Sequence, residues 1–329
     1  MKHKAISAIL VIFLFFINPV YPVEPDTKLK KASFRPQWAP QAQFAGYYVA
    51  LKKGFYKQAG IDLEIRSGGP RISGLYNVAA GRDTFATEWL TSGIALASKG
   101  APIVNIAQII QKSGLMLICL KKSGINNPQD MNEKKVGVWP SFFSIPPSIL
   151  FQQQKVTPKL VTQLFSIDEL LQQKIDVASA MIYNEYHVAL ESGLKPEQLN
   201  TFLFEDYGLN FPEDGIYVHK ETLTKDPELC RNFINASIDG WLYSFEHPEE
   251  AVSIIMEAAE EAKTGTTRRH QETMLQEIQK LMLYRGGESK IGELDQESFN
   301  FIHKILAERK ILKKKVEYED FYKPVKTEK

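Results

Sequence analysis

Cysteine is scarce. The 329-residue chain has two, Cys119 and Cys230, too few for a disulfide framework, and whether they pair is left open. Cys119 lies in the apolar run "GLMLICL", where a buried thiol is expected. An excess of one charge is also missing: 40 Lys and Arg stand against 39 Asp and Glu, and the signs are interspersed. That argues against a nucleic-acid partner, and the Lys-rich end "ERKILKKKVEYEDFYKPVKTEK" reads as a solvated helix end and tail. No Gly-rich phosphate loop, nucleophile elbow or dinucleotide fingerprint occurs. Six histidines, His3, His187, His219, His247, His270 and His303, fall in no metal-ligand spacing, so neither a metal nor a cofactor is expected. Internal repeats and low-complexity tracts are absent too.

What is present starts with an export signal. Lys2, His3 and Lys4 precede an uncharged run from Ala5 to Ile17, the n-region and h-region of a signal peptide placed at residues 1–22. Its thirteen residues fall short of the roughly 20 a membrane helix needs. The segment "INPVYPVEP" offers no clean small-residue cleavage pair, so an uncleaved anchor is the alternative. No cysteine follows to carry a lipid. The expected location is periplasmic or extracytoplasmic.

From Lys31 onward, short apolar runs alternate with helical spacing, which predicts α/β layers. "KASFRPQW", "IDLEI", "DTFAT" and "PIVNIAQII" read as strands, with helices between them closing on Gly81 and Gly100. A second unit repeats the pattern through "KKVGVW", "DVASAMIY" and "NTFLF", and "IYVHK" returns to the first. The expected architecture is two lobes, residues 31–117 with 218–329 and residues 118–217, each a mostly parallel sheet flanked by helices. Two hinge crossings are expected near 115–120 and 214–219.

Polar and aromatic clusters fall at the carboxyl ends of these strands, where open α/β sheets bind ligands. Trp38, Gln41, Gln43 and Tyr47 follow the first strand, and Thr87 and Glu88 the third. Trp139 follows a strand of the second unit, Tyr183, Asn184 and Glu185 another, and Tyr207 and Asn210 precede the return crossing. Any one of these aromatics also suits packing, and Glu88 equally suits a solvated acid at a helix start. Three of the four tryptophans at three strand ends exceed what packing selects. Aromatic faces with amides and a carboxylate suit a flat, polar ring.

The stretches "WAPQAQFAGYYVALKKGFYKQAGIDLEI", "NVAAGRDTFAT", "KGAPIVNIAQIIQKSG", "MNEKKVGVW", "QKIDVASAMIYNEY" and "HPEEAVSIIMEAA" resemble the type II periplasmic substrate-binding proteins. The branch they resemble includes thiamine-pyrimidine-precursor binders, pyrimidine synthase relatives, and nitrate, sulfonate and taurine binders. The resemblance implies a monomer that captures a small heteroaromatic molecule for an ABC permease and its ATPase. It also implies ligand contacts at Trp38, Thr87, Glu88, Trp139 and Tyr183 to Glu185. Synthase relatives use pyridoxal phosphate with a lysine, a histidine and a cysteine-rich run. Here those places hold Glu88, Ser92 and the cysteine-free "LNFPEDGI", so a binding role is expected rather than the synthase. A small-anion binder using Arg71, or an extracytoplasmic sensor, are the other readings.

Overall fold

The computed structural model describes residues 29–326 apart from residue 285. The expected signal segment therefore lies outside the described residues. Two five-stranded sheets form the molecule. The first is ordered β2 (Ile61–Ile65), β1 (Lys30–Arg35), β3 (Phe85–Glu88), β10 (Glu213–His219), β4 (Ile103–Ile110). The second is ordered β7 (Lys159–Thr162), β6 (Lys135–Val138), β8 (Val177–Met181), β5 (Leu115–Leu120), β9 (Leu199–Leu203). β1 runs parallel to β2 and β3, while β10 is antiparallel to β3 and β4; likewise β6 is parallel to β7 and β8, while β5 is antiparallel to β8 and β9. Each sheet is thus mostly parallel, and its one reversed strand is the one arriving from the other sheet.

The expected crossings need correcting. Residues 115–120 and 214–219 are the strands β5 and, within its bounds, β10, hydrogen-bonded on both sides. The chain passes between the sheets just before each, through residues 111–114 and 208–212. Asn210 ties the two passages together: its Oδ1 accepts from Ser113 N at 2.9 Å and its Nδ2 donates to Gln111 O at 3.0 Å.

Strand residues bury because both faces are covered. All eight residues of β4 are buried although it is the last strand of its sheet. Its open edge is met by the C-terminal segment, through bridges of Asn105 with Tyr322 and Gln108 with Gly292, which removes a template for aggregation. β7 escaped the sequence reading because it is a four-residue, largely exposed edge with no alternation.

The helix that secures the first ligand-side loop, Ala45–Lys52, follows a 3₁₀ turn at Ala42–Phe44 and crosses the Pro227–Glu246 helix. Glycines make that crossing close. A Cβ on Gly240 would lie 2.1 Å from Gly46 O, and one on Gly46 would lie 2.3 Å from the Trp241 ring. Both would collide.

Candidate functional site

Between the sheets lies a cavity of about 540 Å³, a size that takes a drug-sized ligand. Its walls are the carboxyl ends of strands from both lobes. The loop after β1 supplies Gln37, Trp38, Gln41 and Gln43; β3 ends at Glu88, with Trp89 next; Trp139 follows β6; Tyr183, Asn184 and Glu185 follow β8. Phe143 and Phe165 complete the lining on the second lobe.

The aromatic side chains form one cluster spanning the cleft. Trp38 meets Phe165 edge-on at 4.8 Å between ring centroids, and Trp89 meets Phe143 edge-on at 5.1 Å. Trp139 lies 5.7 Å from Phe143 and 5.5 Å from Phe165. The Trp139 indole Nε1 is buried without a partner among the described residues, a donor with no task in the protein itself.

Two carboxyls stand in the polar lining. Glu185 is 6% exposed; its Oε2 accepts from Met181 N at 2.9 Å and its Oε1 from Asn184 Nδ2 at 2.8 Å. Burial pushes its carboxyl up to about 7 against those hydrogen bonds. Glu88 accepts from Trp89 N at 3.1 Å and is likewise pushed up to about 7 by burial. Behind them the glutamines form a chain: Gln41 Nε2 donates to Gln43 Oε1 at 2.6 Å, and Gln43 Nε2 to Asp214 Oδ2 at 2.9 Å. Gln37 Nε2 donates to the other Asp214 oxygen. The Asp214 carboxyl thus anchors the Gln37 and Gln43 amides, and Gln43 in turn holds Gln41. The arginines at the strand ends are held elsewhere: Arg35 and Arg66 both bind Asp83. The cationic lining residues, Arg71 and Lys99, are exposed.

Of the residues singled out in the sequence, Trp38, Gln41, Gln43, Glu88, Trp139, Tyr183, Asn184 and Glu185 line the cavity together. Four do not. Tyr47 is buried in the first lobe, 4.4 Å from Phe34 and edge-on to Trp241 at 5.7 Å. The 3₁₀ turn sets the phase of the following helix so that Tyr47 points into the core and Tyr48 is the half-buried one. Thr87 is buried behind the loop, where its Oγ1 accepts from Gln37 N at 3.0 Å. Tyr207 lies on the short Phe204–Tyr207 turn, and Asn210 is the hinge tie. Glu88 is the last residue of β3 rather than part of the following helix, which starts at Leu90.

The sequence reading placed Trp89 at the third strand end, where it lines the cavity, and missed Gln37, Phe165, Glu213 and Asp214. The two acids are consecutive, fully buried, and face opposite ways. Glu213 Oε1 accepts from Ser113 Oγ at 3.0 Å and Gly114 N at 2.7 Å, and its Oε2 accepts from Tyr183 Oη at 2.8 Å. Asp214, with φ of 52°, turns to the glutamines of the first lobe. Burial pushes Glu213 up to about 7, and burial with the Glu213 charge pushes Asp214 well above the carboxylate range. In "FPEDG" they look like an exposed turn, and no local signal separates them from one.

The comparisons with known proteins match this geometry. The riboflavin-binding protein RibY of Chloroflexus aurantiacus is 24% identical over 257 residues, 72% of this chain and 69% of its own. The formylaminopyrimidine-binding protein of Halalkalibacterium halodurans is 22% identical over 79% of this chain and 80% of its own. The 4-amino-5-hydroxymethyl-2-methylpyrimidine phosphate synthase of Legionella pneumophila is 24% identical over 69% of this chain and 73% of its own. Among solved structures, the periplasmic aliphatic sulphonate binding protein SsuA of Escherichia coli superposes with a TM-score of 0.69 at 12% identity, covering 89% of this chain and 96% of that one. The fold is therefore that of the two-lobed periplasmic binding proteins. Residues 41–251, more than half the sequence, match the family described as NMT1/THI5 like, and the chain belongs to that family.

Proposed function

We propose that the protein is an exported solute-binding protein that closes two lobes on a small heteroaromatic ligand, pyrimidine-like and rich in N–H donors, for delivery to an ABC-type importer. The observation that carries this reading is the cavity's lining: aromatic rings from both lobes, with the Glu88 and Glu185 carboxyls and the Gln37, Gln41 and Gln43 amides around the same space. A ring stacks on the aromatics, and its amino or protonated ring nitrogens donate to the acceptors. Ligand contacts are assigned to Trp38, Gln41, Gln43, Glu88, Trp139, Tyr183, Asn184 and Glu185. Relatives that bind riboflavin and a formylaminopyrimidine support the ring, and a relative that binds a sulphonate shares only the fold. Two carboxyls facing the ligand disfavour an anion.

The Legionella relative keeps an enzymatic reading in play. Pyridoxal phosphate chemistry needs a lysine amine to form the imine. The lysine lining the cavity, Lys99, is exposed and follows the far end of the Leu90–Ser98 helix, and Glu88 stands at the end of β3. The residues present do not fit that cofactor. The test is release of bound small molecules from the purified protein by heat, with identification by mass spectrometry and an absorption spectrum. A heteroaromatic amine is expected; an alkylsulphonate, or a pyridoxal phosphate band after reconstitution, would contradict the reading.

A further inference from the structure

The cavity is larger than the ring assigned to it. Its volume of about 540 Å³ equals that of about 18 water molecules at roughly 30 Å³ each, and a pyrimidine with an amino and a methyl group fills less than half of that space. Part of the lining leads away from the strand ends. β10 is antiparallel to both β3 and β4, so those two run parallel, and the Leu90–Ser98 helix that joins them runs back along the sheet. Thr91, Ser92, Ala95, Leu96 and Lys99 line the cavity from this helix and its C-cap, the spacing of one helical stripe. From Thr91 to Lys99 that stripe extends about 12 Å at 1.5 Å per residue.

A second wall faces it. The Gly74–Ala79 helix joins β2 to β3, which also run parallel, and two right-handed crossovers in the same direction along a sheet lie on one face. Both helices touch β10. The first turn of the Gly74–Ala79 helix and the residues before it add Ile72, Leu75 and Tyr76 to the lining. Ile72 is 43% exposed and Tyr76 55%, apolar surface left uncovered on the cavity wall. The arm thus has apolar sides and ends at Lys99. Among the described residues Lys99 holds no carboxylate, whereas Lys52, Lys53 and Lys112 each do.

We propose that this arm of the first lobe is a second subsite, which takes an apolar substituent of the ligand ending in an anionic group that meets Lys99. The proposal rests on the reading above that a heteroaromatic ring occupies the strand ends, and it names the chemistry of the rest of the ligand. All the walls of the arm belong to one lobe, so they do not depend on how far apart the two lobes stand. The Glu88 carboxyl does not forbid the anion, because about 12 Å of helix lies between the strand end and Lys99, more than the Debye length of about 8 Å at physiological ionic strength.

Isothermal titration of the full protein compares three compounds: 4-amino-2-methylpyrimidine, the same ring carrying a hexyl chain, and the same ring carrying a hexanoate chain. The hexyl compound is expected to bind about tenfold or more tightly than the bare ring, since each buried methylene adds to the affinity. The hexanoate compound is expected to gain about two- to fivefold again, the scale of an exposed ion pair. Tyr76→Ala and Lys99→Gln change exposed positions. Tyr76→Ala is expected to lose much of the gain from the chain, Lys99→Gln only the gain from the carboxylate, and both to bind the bare ring as the parent does. Equal affinity of the parent for all three compounds, or a loss in Tyr76→Ala as large for the bare ring as for the hexyl compound, overturns the arm and leaves the ring reading standing. A hexanoate compound that binds no better than the hexyl one, or equally well to Lys99→Gln, overturns its anionic end. Binding of none of the three overturns the ring reading, and the arm with it.

Discussion

Replacing Glu185 by glutamine keeps the shape of a buried side chain and removes its charge. In the structure each carboxylate oxygen accepts one protein hydrogen bond, from Met181 N and from Asn184 Nδ2. Each oxygen has a second lone pair, so two acceptor sites remain for a ligand. A glutamine can keep the Met181 bond through its carbonyl, but its amide nitrogen then faces the Asn184 amide donor. Capacity for the ligand falls accordingly. A hydrogen bond to a charged group contributes about 1.5–3 kcal/mol, which corresponds to a loss of roughly 10- to 150-fold in affinity. Isothermal titration with 4-amino-2-methylpyrimidine and with riboflavin reads this directly. A second signature accompanies it. Burial holds the unliganded carboxyl up to about 7, so a neutral N–H donor should bind the parent protein more tightly as pH rises from 6 to 8 and the carboxylate forms. The variant should lose the part of that slope due to this group and keep the part due to Glu88. Unchanged affinity with an intact far-ultraviolet spectrum would refute the assignment of Glu185 to the ligand.

Three further outcomes follow from the same geometry. Trp139→Ala removes the ring that joins Phe143 and Phe165 and should weaken ligand binding by about 1–3 kcal/mol while lowering the melting temperature modestly, read by fluorescence titration and calorimetry. Gly240→Ala places a methyl 2.1 Å from Gly46 O and should destabilise by about 1–3 kcal/mol in urea unfolding. The buried acids set a pH dependence of stability in the unliganded protein. Glu88, Glu185 and Glu213 have carboxyls raised in the fold, so their contribution is fully present below the unfolded carboxylate range and is lost as pH rises through about 7. Thermal melts should therefore fall between pH 5 and pH 8, and a melting temperature that rises over that interval would contradict the burial.

Much of the first lobe was legible because short apolar runs alternate with helical spacing and its helices stop at glycines. In β2, Ile61 and Leu63 are buried and Asp62 and Glu64 exposed, whereas β1, β3 and β4 bury consecutive residues. Strand ends followed, and with them Trp38, Glu88, Trp139 and Tyr183 to Glu185, since a parallel sheet gathers its carboxyl ends at one edge. What stayed hidden depends on distant partners. Glu213 and Asp214 are made buried by Ser113, Gly114, Tyr183, Gln37 and Gln43, the nearest of them 30 positions away in sequence. His270 looks like an ordinary helix histidine until the second lobe brings Asn184 and Glu191 to it. Tyr47 was misplaced for a local reason: the three residues of 3₁₀ turn before its helix shift the phase of the helical face, which spacing alone does not reveal.

The central claim is that this cavity holds a heteroaromatic ring with N–H donors. The most direct measurement is a thermal-shift series on the purified protein with 4-amino-2-methylpyrimidine, riboflavin and ethanesulfonate at matched excess, where any ligand that binds the folded state raises the melting temperature by mass action. A rise with one of the heteroaromatic compounds and none with the sulfonate is the predicted result. A rise with ethanesulfonate alone would contradict the account.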